Sequence, residues 1–434
     1  MSVPNTPVWT IPGGKVSGRG TPKVWQATGL PYASASRWGL PVPVPFSGRD
    51  FDAREPSPVC PQVSFPLIDE VLDDLEGRPR TDENCLNLSV TVPAGTSSDA
   101  ALPVLVWIHG GSYVTGGGDL PIYDPTALVV EQRLIVVSIN YRLGLFGYLR
   151  HGDAPGNLGL LDQRAALRWV HENIAVFGGD PQHVTVFGES AGGDSVAHLM
   201  IAEGTRGLFR RAIVMSAPLG LMSRRDRMYV AMARQVQDLA PDASVDEVLA
   251  ATDRLQRMSL RYGLRAGMPF GPQYGIDPLP KERDLDDAWR SAGSIDLLIG
   301  HTDREAALFV PPRLGRLPLR PAVREQLVRR LTSRIYGAPA RRFAQRHSAA
   351  GGHTGRYVLR SKPANGPLAG AHTTDLPLVF PGPAWDSIVR ASGPAWHATF
   401  DEGRAMRTVL AEFARRGTLD ERAHAPVFVH ALRS

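Results

Sequence analysis

Val184-Thr-Val-Phe-Gly-Glu-Ser-Ala-Gly-Gly193 is the stretch whose reading decides the fold. Val184 to Phe187 is an apolar, β-branched run and predicts a buried strand. Gly188-Glu189-Ser190-Ala191-Gly192 is a G-x-S-x-G pentapeptide, and Asp194 to Met200 predicts a helix. A serine held by glycines between strand and helix fits a strained turn that lifts its hydroxyl out of a sheet. Side chains two positions to either side would collide with the packed strand and helix, which is why glycine is needed there. The helix N-terminus behind the serine favours negative charge. Taken alone, the pentapeptide fits an incidental serine in a glycine-rich turn equally well, so the rest of the chain must decide.

Working outward, continuous apolar runs recur at Pro103–Ile108, Leu134–Ile139, Ala212–Ser216 and Ile295–Gly300, with Arg356–Arg360 as a further strand. Runs of this kind are strands buried on both faces, the mark of a parallel sheet. Helical patterns lie between them, over Gly159–Val176, over Arg224–Gln256 with a break at Pro241-Asp-Ala-Ser244, over Val323–Ile335 and over Phe400–Arg416. Residues 1–60 are rich in proline and glycine, with short strand-like pieces at Gly14–Gly18 and Val24–Ala27, and Cys85–Val92 alternates as a strand. Together they predict an N-terminal antiparallel edge on an α/β fold: a mostly parallel sheet with helices on both faces, in one large domain over residues 1–434.

Composition narrows the function. A 43% hydrophobic content is ample for a core, and no run of 18 apolar residues exists, so no membrane contact is expected. The start, Met1 to Pro12, has no basic segment followed by an apolar core, so a full-length cytoplasmic chain is expected. The net charge of +5 comes from 48 basic residues, of which only Lys15, Lys23, Lys281 and Lys362 are lysine. The arginines are scattered among acids, and the locally basic Arg313–Arg346 reads as the solvated face of a helix, so no nucleic-acid partner is expected. Two cysteines, Cys60 and Cys85, form no C-x-x-C or Cys/His cluster, so no metal site is expected. The pair fits a single bridge or two reduced thiols equally well. Asn87-Leu-Ser89 matches a glycosylation sequon by chance, inside a strand.

A serine hydroxyl attacks a carbonyl only when a base takes its proton, and the base needs a carboxylate to hold its tautomer. In open parallel sheets such groups sit on loops after the strands, at the carboxyl edge. The strand ending at Gly300 runs into His301-Thr-Asp-Arg-Glu-Ala306, which offers Asp303 and Glu305 as acids on equal terms. The strand ending at Arg360 leads to His372, which position favours over the other histidines. His198 is too close to Ser190, His347 and His353 precede the strand, His397 heads the last helix, and His424 and His430 lie in the tail. Gly110-Gly111-Ser112 follows a strand and can aim backbone N–H groups inward, beside that of Ala191, as a two-part oxyanion hole.

Those residues, with Cys60-Pro-Gln62, Glu83-Asn-Cys-Leu86, Asn140-Tyr-Arg-Leu-Gly144, Gly156-Asn-Leu-Gly-Leu-Leu-Asp-Gln163, Phe177-Gly-Gly-Asp-Pro181 and Gly207-Leu-Phe-Arg-Arg-Ala-Ile213, resemble the type-B carboxylesterase/cholinesterase family, para-nitrobenzyl-esterase-like enzymes included. The matches run from about residue 14 to 418, and the block Asn157–Gly193 is the most specific. The resemblance implies an α/β-hydrolase fold and a serine carboxylesterase acting on small-molecule esters without a cofactor. It implies Glu305 as acid and His372 as base, because the family's R-D-E-G stands here as Asp303-Arg304-Glu305-Ala306. It also implies Gly111, Ser112 and Ala191 as oxyanion donors, and it pairs Cys60 with Cys85 as in the disulfide loop of secreted members. The chain departs from the family at Ser112, the third oxyanion glycine, at Ala306, and in a short Glu305–His372 segment, which implies a partly reduced helical cap and a more open pocket. Two other readings stand beside hydrolysis: transfer of the acyl group to an alcohol or amine by an acyltransferase or cyclase, and a non-catalytic binding module. The second is disfavoured because all three triad positions carry competent residues.

Overall fold

Nine strands form one sheet in a computed structural model that describes residues 6–63, 79–222, 225–314, 317–360, 366–392 and 400–419. In chain order they are β1 (Arg19–Gly20), β2 (Val24–Pro31), β3 (Asn87–Pro93), β4 (Leu102–Ile108), β5 (Ile135–Ile139), β6 (Gly179–Glu189), β7 (Arg211–Met215), β8 (Asp296–Thr302) and β9 (Thr354–Leu359). Their spatial order is β9-β8-β7-β6-β4-β5-β3-β2-β1. The six strands from β9 to β5 pair in parallel, whereas β3, β2 and β1 add the antiparallel edge expected from the N-terminal sequence. A separate small sheet joins Val8–Ile11, Gly14–Ser17 and Phe51–Asp52.

The period-2 rule splits each central strand between two apolar layers. Val104, Val106 and Ile108 of β4 and Val184 and Val186 of β6 face one core. That core is filled by α1 (Leu158–Asn173) and α2 (Ala191–Leu199), with α3 (Asp226–Gln235) and α4 (Val245–Ser259). Leu105, Trp107 and Phe187 face the other, where α5 (Phe400–Arg416) supplies Met406, Val409, Leu410 and Phe413. There Trp107 packs on Phe187 and Phe380, each at 4.9 Å between ring centroids.

Helix boundaries follow local chemistry. The expected 159–176 helix ends at Asn173 and tightens into a 3-10 turn, Ile174–Phe177, closed by Gly178 at φ +84°. The break at 241–244 is a helix start: the Ser244 hydroxyl accepts from the Glu247 N–H while Glu247 accepts from the Ser244 N–H, a capping box. The expected 323–335 helix spans Pro321–Thr332 and passes through a π-turn, Ser333–Gly337, into a further helix, Ala338–Ala349, which carries His347. His397, His424, His430 and residues 361–365 of the loop before His372 lie outside the described residues.

Two further expectations meet the structure here. Cys60 and Cys85 are buried, unbonded thiols, so the disulfide implied by resemblance is not formed. A hydrogen bond with Cys60 and burial hold the Cys85 thiol well above its usual range, and a protonated thiol resists oxidation. The Cys60 sulfur also accepts the Leu143 N–H. Asn87 is buried, its amide bonded to the Asn84 carbonyl, so the sequon is not offered to solvent.

Arg142 and Asp162, both inside the family-like motifs, form a buried pair beneath the N-terminal strands. The guanidinium meets the carboxylate through Nε at 2.9 Å and Nη2 at 2.7 Å, the Arg142 N–H adds a bond at 3.1 Å, and Nη1 reaches the Gly39 carbonyl at 2.7 Å. Removing one partner strands a charge away from water. Arg142→Met is expected to cost about 3–5 kcal/mol in urea unfolding. The double replacement Arg142→Met/Asp162→Leu should recover much of that loss, and equal losses for single and double variants would contradict the account.

Candidate active site

Strands β4, β6, β8 and β9 end at the same edge of the sheet, and each is followed by a segment that carries a candidate group. After β6 the chain turns at Ser190, with φ +56° and ψ −122°, before entering α2. The turn closes because its glycines admit no side chain. A Cβ on Gly192 would lie 2.0 Å from the Ile108 carbonyl oxygen, and one on Gly188 2.5 Å from the Gly192 carbonyl carbon. The Ser190 N–H is held by the Met215 carbonyl at 3.0 Å.

Ser190, His372 and Glu305 come together. Ser190 Oγ is 2.9 Å from His372 Nε2, and His372 Nδ1 is 2.6 Å from Glu305 Oε2. The other oxygen of Glu305 accepts the Thr302 N–H at 2.8 Å, and the His372 N–H bonds the Glu305 carbonyl at 3.1 Å. Position after β8 left Asp303 and Glu305 equal; the carboxylate beside the imidazole is that of Glu305, while the Asp303 backbone N–H bonds Leu359 at the sheet edge. Arg304 ties the two loops together. Its N–H bonds the Gly370 carbonyl, its Nη1 the Ala369 carbonyl at 2.6 Å, and its Nη2 the Glu325 carboxylate at 3.0 Å.

Gly110, Gly111 and Ser112 follow β4 and line the same cavity as Ser190. A Cβ on Gly110 would stand 3.2 Å from the Ser190 Cβ, so this loop passes directly over the serine. Ala191 opens α2, where the first backbone N–H groups have no partner within the helix. Gly111, Ser112 and Tyr113 run through φ values of +107°, +57° and +62°.

Three buried acids surround the imidazole, a density that position in the sequence did not reveal. Glu189 Oε1 lies 3.3 Å from His372 Nε2, and Asp375 meets the Ser216 hydroxyl at 3.3 Å. Burial pushes the Glu189 carboxyl well above the usual range. Burial and the Glu305 charge raise Asp375 to about 7. Burial also works upward on Glu305, but the attraction of His372 and their hydrogen bond hold it below its ordinary value. For His372 burial works downward, yet Glu189 and Glu305 outweigh it and raise the imidazole to about 9. The one sequence signal for Ser216 was its place at the end of β7, beside the candidate serine. Phe309 and Tyr336 flank the imidazole, with ring centroids 5.4 and 5.3 Å away.

A cavity of about 1910 Å³ opens above Ser190. One wall is apolar, with Leu221, Met268, Leu308 and Ile335, and at its mouth Leu264 and Phe309 are exposed. Among the described residues no cluster of His, Cys, Asp or Glu is arranged to hold a metal ion, and no helix is long and apolar enough to cross a membrane.

Residues 5–319 match the model of the carboxylesterase family. A probable N-octanoylanthranilate hydrolase of Rhodococcus erythropolis is 34% identical over 95% of this chain and 94% of its own length. The para-nitrobenzyl esterase of Bacillus subtilis is 38% identical over 69% of this chain and 63% of its own. Among solved structures, a thermophilic para-nitrobenzyl esterase superposes with a TM-score of 0.78 at 30% identity, covering 95% of this chain and 91% of the other. With the sheet order and the turn at Ser190, these likenesses lead to one conclusion: the chain belongs to the carboxylesterase family and is a serine hydrolase of carboxylic esters with the α/β-hydrolase fold.

Proposed function

We propose that one domain carries a complete acyl-transfer site in which Ser190 is the nucleophile, His372 the general base and Glu305 its orienting acid. The observation that supports this most is the continuous hydrogen-bonded line from Ser190 Oγ through His372 to Glu305 beneath the cavity. Ser190 Oγ bonds to the acyl carbon as His372 Nε2 takes its proton. The oxygen that becomes negative is met by the N–H groups of Gly111, Ser112 and Ala191. His372 returns the proton to the departing alkoxide, and the acyl group stays on Ser190. Water then attacks the acyl carbon as His372 takes its proton, and His372 returns that proton to Ser190 Oγ as the ester bond to the serine breaks, freeing the carboxylic acid. No step needs a cofactor. The buried, unbonded thiols suit a reducing compartment, and a cytoplasmic setting is part of the proposal.

For the substrate we infer a medium-length, unbranched acyl chain. The apolar wall beside Ser190 and the relative named for an N-octanoyl substrate both support it. The same relative favours a second reading, cleavage of an N-acyl arylamine as well as an ester. The test is a panel of p-nitrophenyl esters from acetate to laurate with N-octanoylanthranilate beside it. kcat/KM is expected to peak near the octanoate, roughly tenfold or more above the acetate, since each buried CH₂ is worth about 0.8 kcal/mol. A profile falling steadily from acetate would overturn the chain-length assignment. Stoichiometric labelling of the Ser190 peptide by a fluorophosphonate is expected, and labelling elsewhere would overturn the nucleophile.

A further inference from the structure

We propose that the buried hydrogen bond between Tyr113 and Asp194 braces the two halves of the oxyanion hole, which makes both of them positioning residues; this rests on the reading of Gly111, Ser112 and Ala191 given above. The two sets of donors come from chain segments about 80 residues apart, and the Tyr113 to Asp194 contact spans 81 positions. Tyr113 directly follows Ser112. Asp194 sits in the first turn of α2, three residues after Ala191, with its N–H on the Ser190 carbonyl at 2.9 Å. The Tyr113 hydroxyl donates to Asp194 Oδ2 at 2.6 Å, so a side-chain bond links the residue after Ser112 to the first turn of the helix that Ala191 opens.

The loop needs such a hold. Ser112 and Tyr113 are successive non-glycine residues in the left-handed region, at φ +57° and +62°, a conformation that costs each of them roughly 1–2 kcal/mol. It persists only where the surroundings over-determine it. Four contacts do so. The Tyr113 ring is fully buried, 4.4 Å from that of Tyr148. The Tyr113 carbonyl accepts the Gly144 N–H at 2.7 Å. The Ser112 hydroxyl donates to the Gly267 carbonyl at 3.0 Å. The fourth is the bond to Asp194, which reaches the first turn of the helix that begins beside Ser190. The next residue of the same helix adds a weaker hold on the hydroxyl, since Ser195 Oγ donates to it at 3.1 Å and is itself held by Gln163 Nε2 at 3.0 Å. His198 faces the same carboxylate at 3.4 Å, its Nδ1 on the Asp194 carbonyl at 2.8 Å, so Asp194 is restrained in turn.

A polar pair that merely fills the core predicts a loss of stability with unchanged turnover. A brace predicts a loss in the transition state. Tyr113→Phe keeps the ring and removes the bond. Its kcat on a p-nitrophenyl ester is expected to fall roughly 10- to 100-fold with KM within about twofold, the scale of a donor displaced rather than deleted. Affinity for an alkyl trifluoromethyl ketone, whose adduct with the serine places an oxyanion in the same hole, should fall by a similar factor. Asp194→Asn offers the same acceptor and should stay within about threefold of the parent, whereas Asp194→Ala should reproduce the Tyr113→Phe loss. The double variant Tyr113→Phe/Asp194→Ala should lose little more than Tyr113→Phe alone, because the bond between the two residues is already gone in either single variant and Tyr113→Phe has also given up the Ser195 contact. All are compared at a temperature where circular dichroism shows them folded, and if one single variant does not fold, the other carries the test. Parental kcat and ketone affinity in folded Tyr113→Phe or Asp194→Ala would overturn the brace. Failure of the parent protein to bind the ketone would instead overturn the underlying oxyanion assignment.

Discussion

Ser190→Ala is expected to lower kcat for a simple aryl ester by about 10⁴-fold or more while leaving the fold and melting temperature close to those of the parent. The loss should be this large because the described serine hydroxyls nearest the turn are committed elsewhere. Ser112 Oγ is committed to the Gly267 carbonyl, Ser216 Oγ to Asp375 and Ser195 Oγ to Tyr113. The fold should survive because alanine suffers the same strain as serine at φ +56°, and the turn is held by the Ser190 N–H and carbonyl, which the substitution keeps. The residual rate should come from the oxyanion donors and from binding alone. Initial rates on p-nitrophenyl octanoate, with the variant purified on unused resin to exclude carry-over, give the comparison. Hydrolysis within tenfold of the parent would remove Ser190 from the chemistry.

The sheet was legible because parallel strands buried on both faces write themselves as unbroken apolar runs, and β4 to β8 each carry one. The serine turn was legible because a Cβ at Gly188 or Gly192 meets backbone, so that chemistry leaves glycine at fixed spacing. The helix Ala338–Ala349 lies beyond the helical pattern expected over Val323–Ile335, with Gly337 and Pro339 at its start. In the fold Pro339 occupies the first turn, where its missing N–H costs nothing, and a π-turn carries the chain across Gly337. The choice between Asp303 and Glu305 was not legible from position, since both follow the same strand within three residues. Resemblance named Glu305, and the approach of Glu305 to the imidazole gives the physical reason, a side chain turned inward at 0% exposure while its Oε1 accepts the Thr302 N–H. Glu189 and Asp375 carry no pattern that announces their joint effect. They are brought around His372 from the end of β6 and from the turn after His372 itself, and only the assembled distances reveal a crowd of carboxyls competing for one imidazole.

That crowd sets the sign of the second large effect. Glu305→Gln is expected to cut kcat about 10³- to 10⁴-fold, because the amide cannot hold the Nδ1 proton as the carboxylate does and the imidazole loses both its tautomer and the stabilisation of its charged form. Asp303→Asn should stay within about threefold. The pH profile of kcat/KM separates orientation from charge. Turnover needs neutral His372, so activity rises with pH through the imidazole pKa, which the neighbouring carboxylates raise to about 9 against the downward pull of burial. Removing a negative partner favours the neutral ring, so Glu305→Gln should move the acid limb to lower pH by about one pH unit or more even as the plateau falls. Glu189→Gln should also move the limb to lower pH, because Glu189 is one of the two carboxyls that raise the imidazole, but its plateau should fall less because it does not touch Nδ1. An acid limb that shifts upward in Glu305→Gln, or a larger plateau loss in Asp303→Asn, would transfer the acid role away from Glu305.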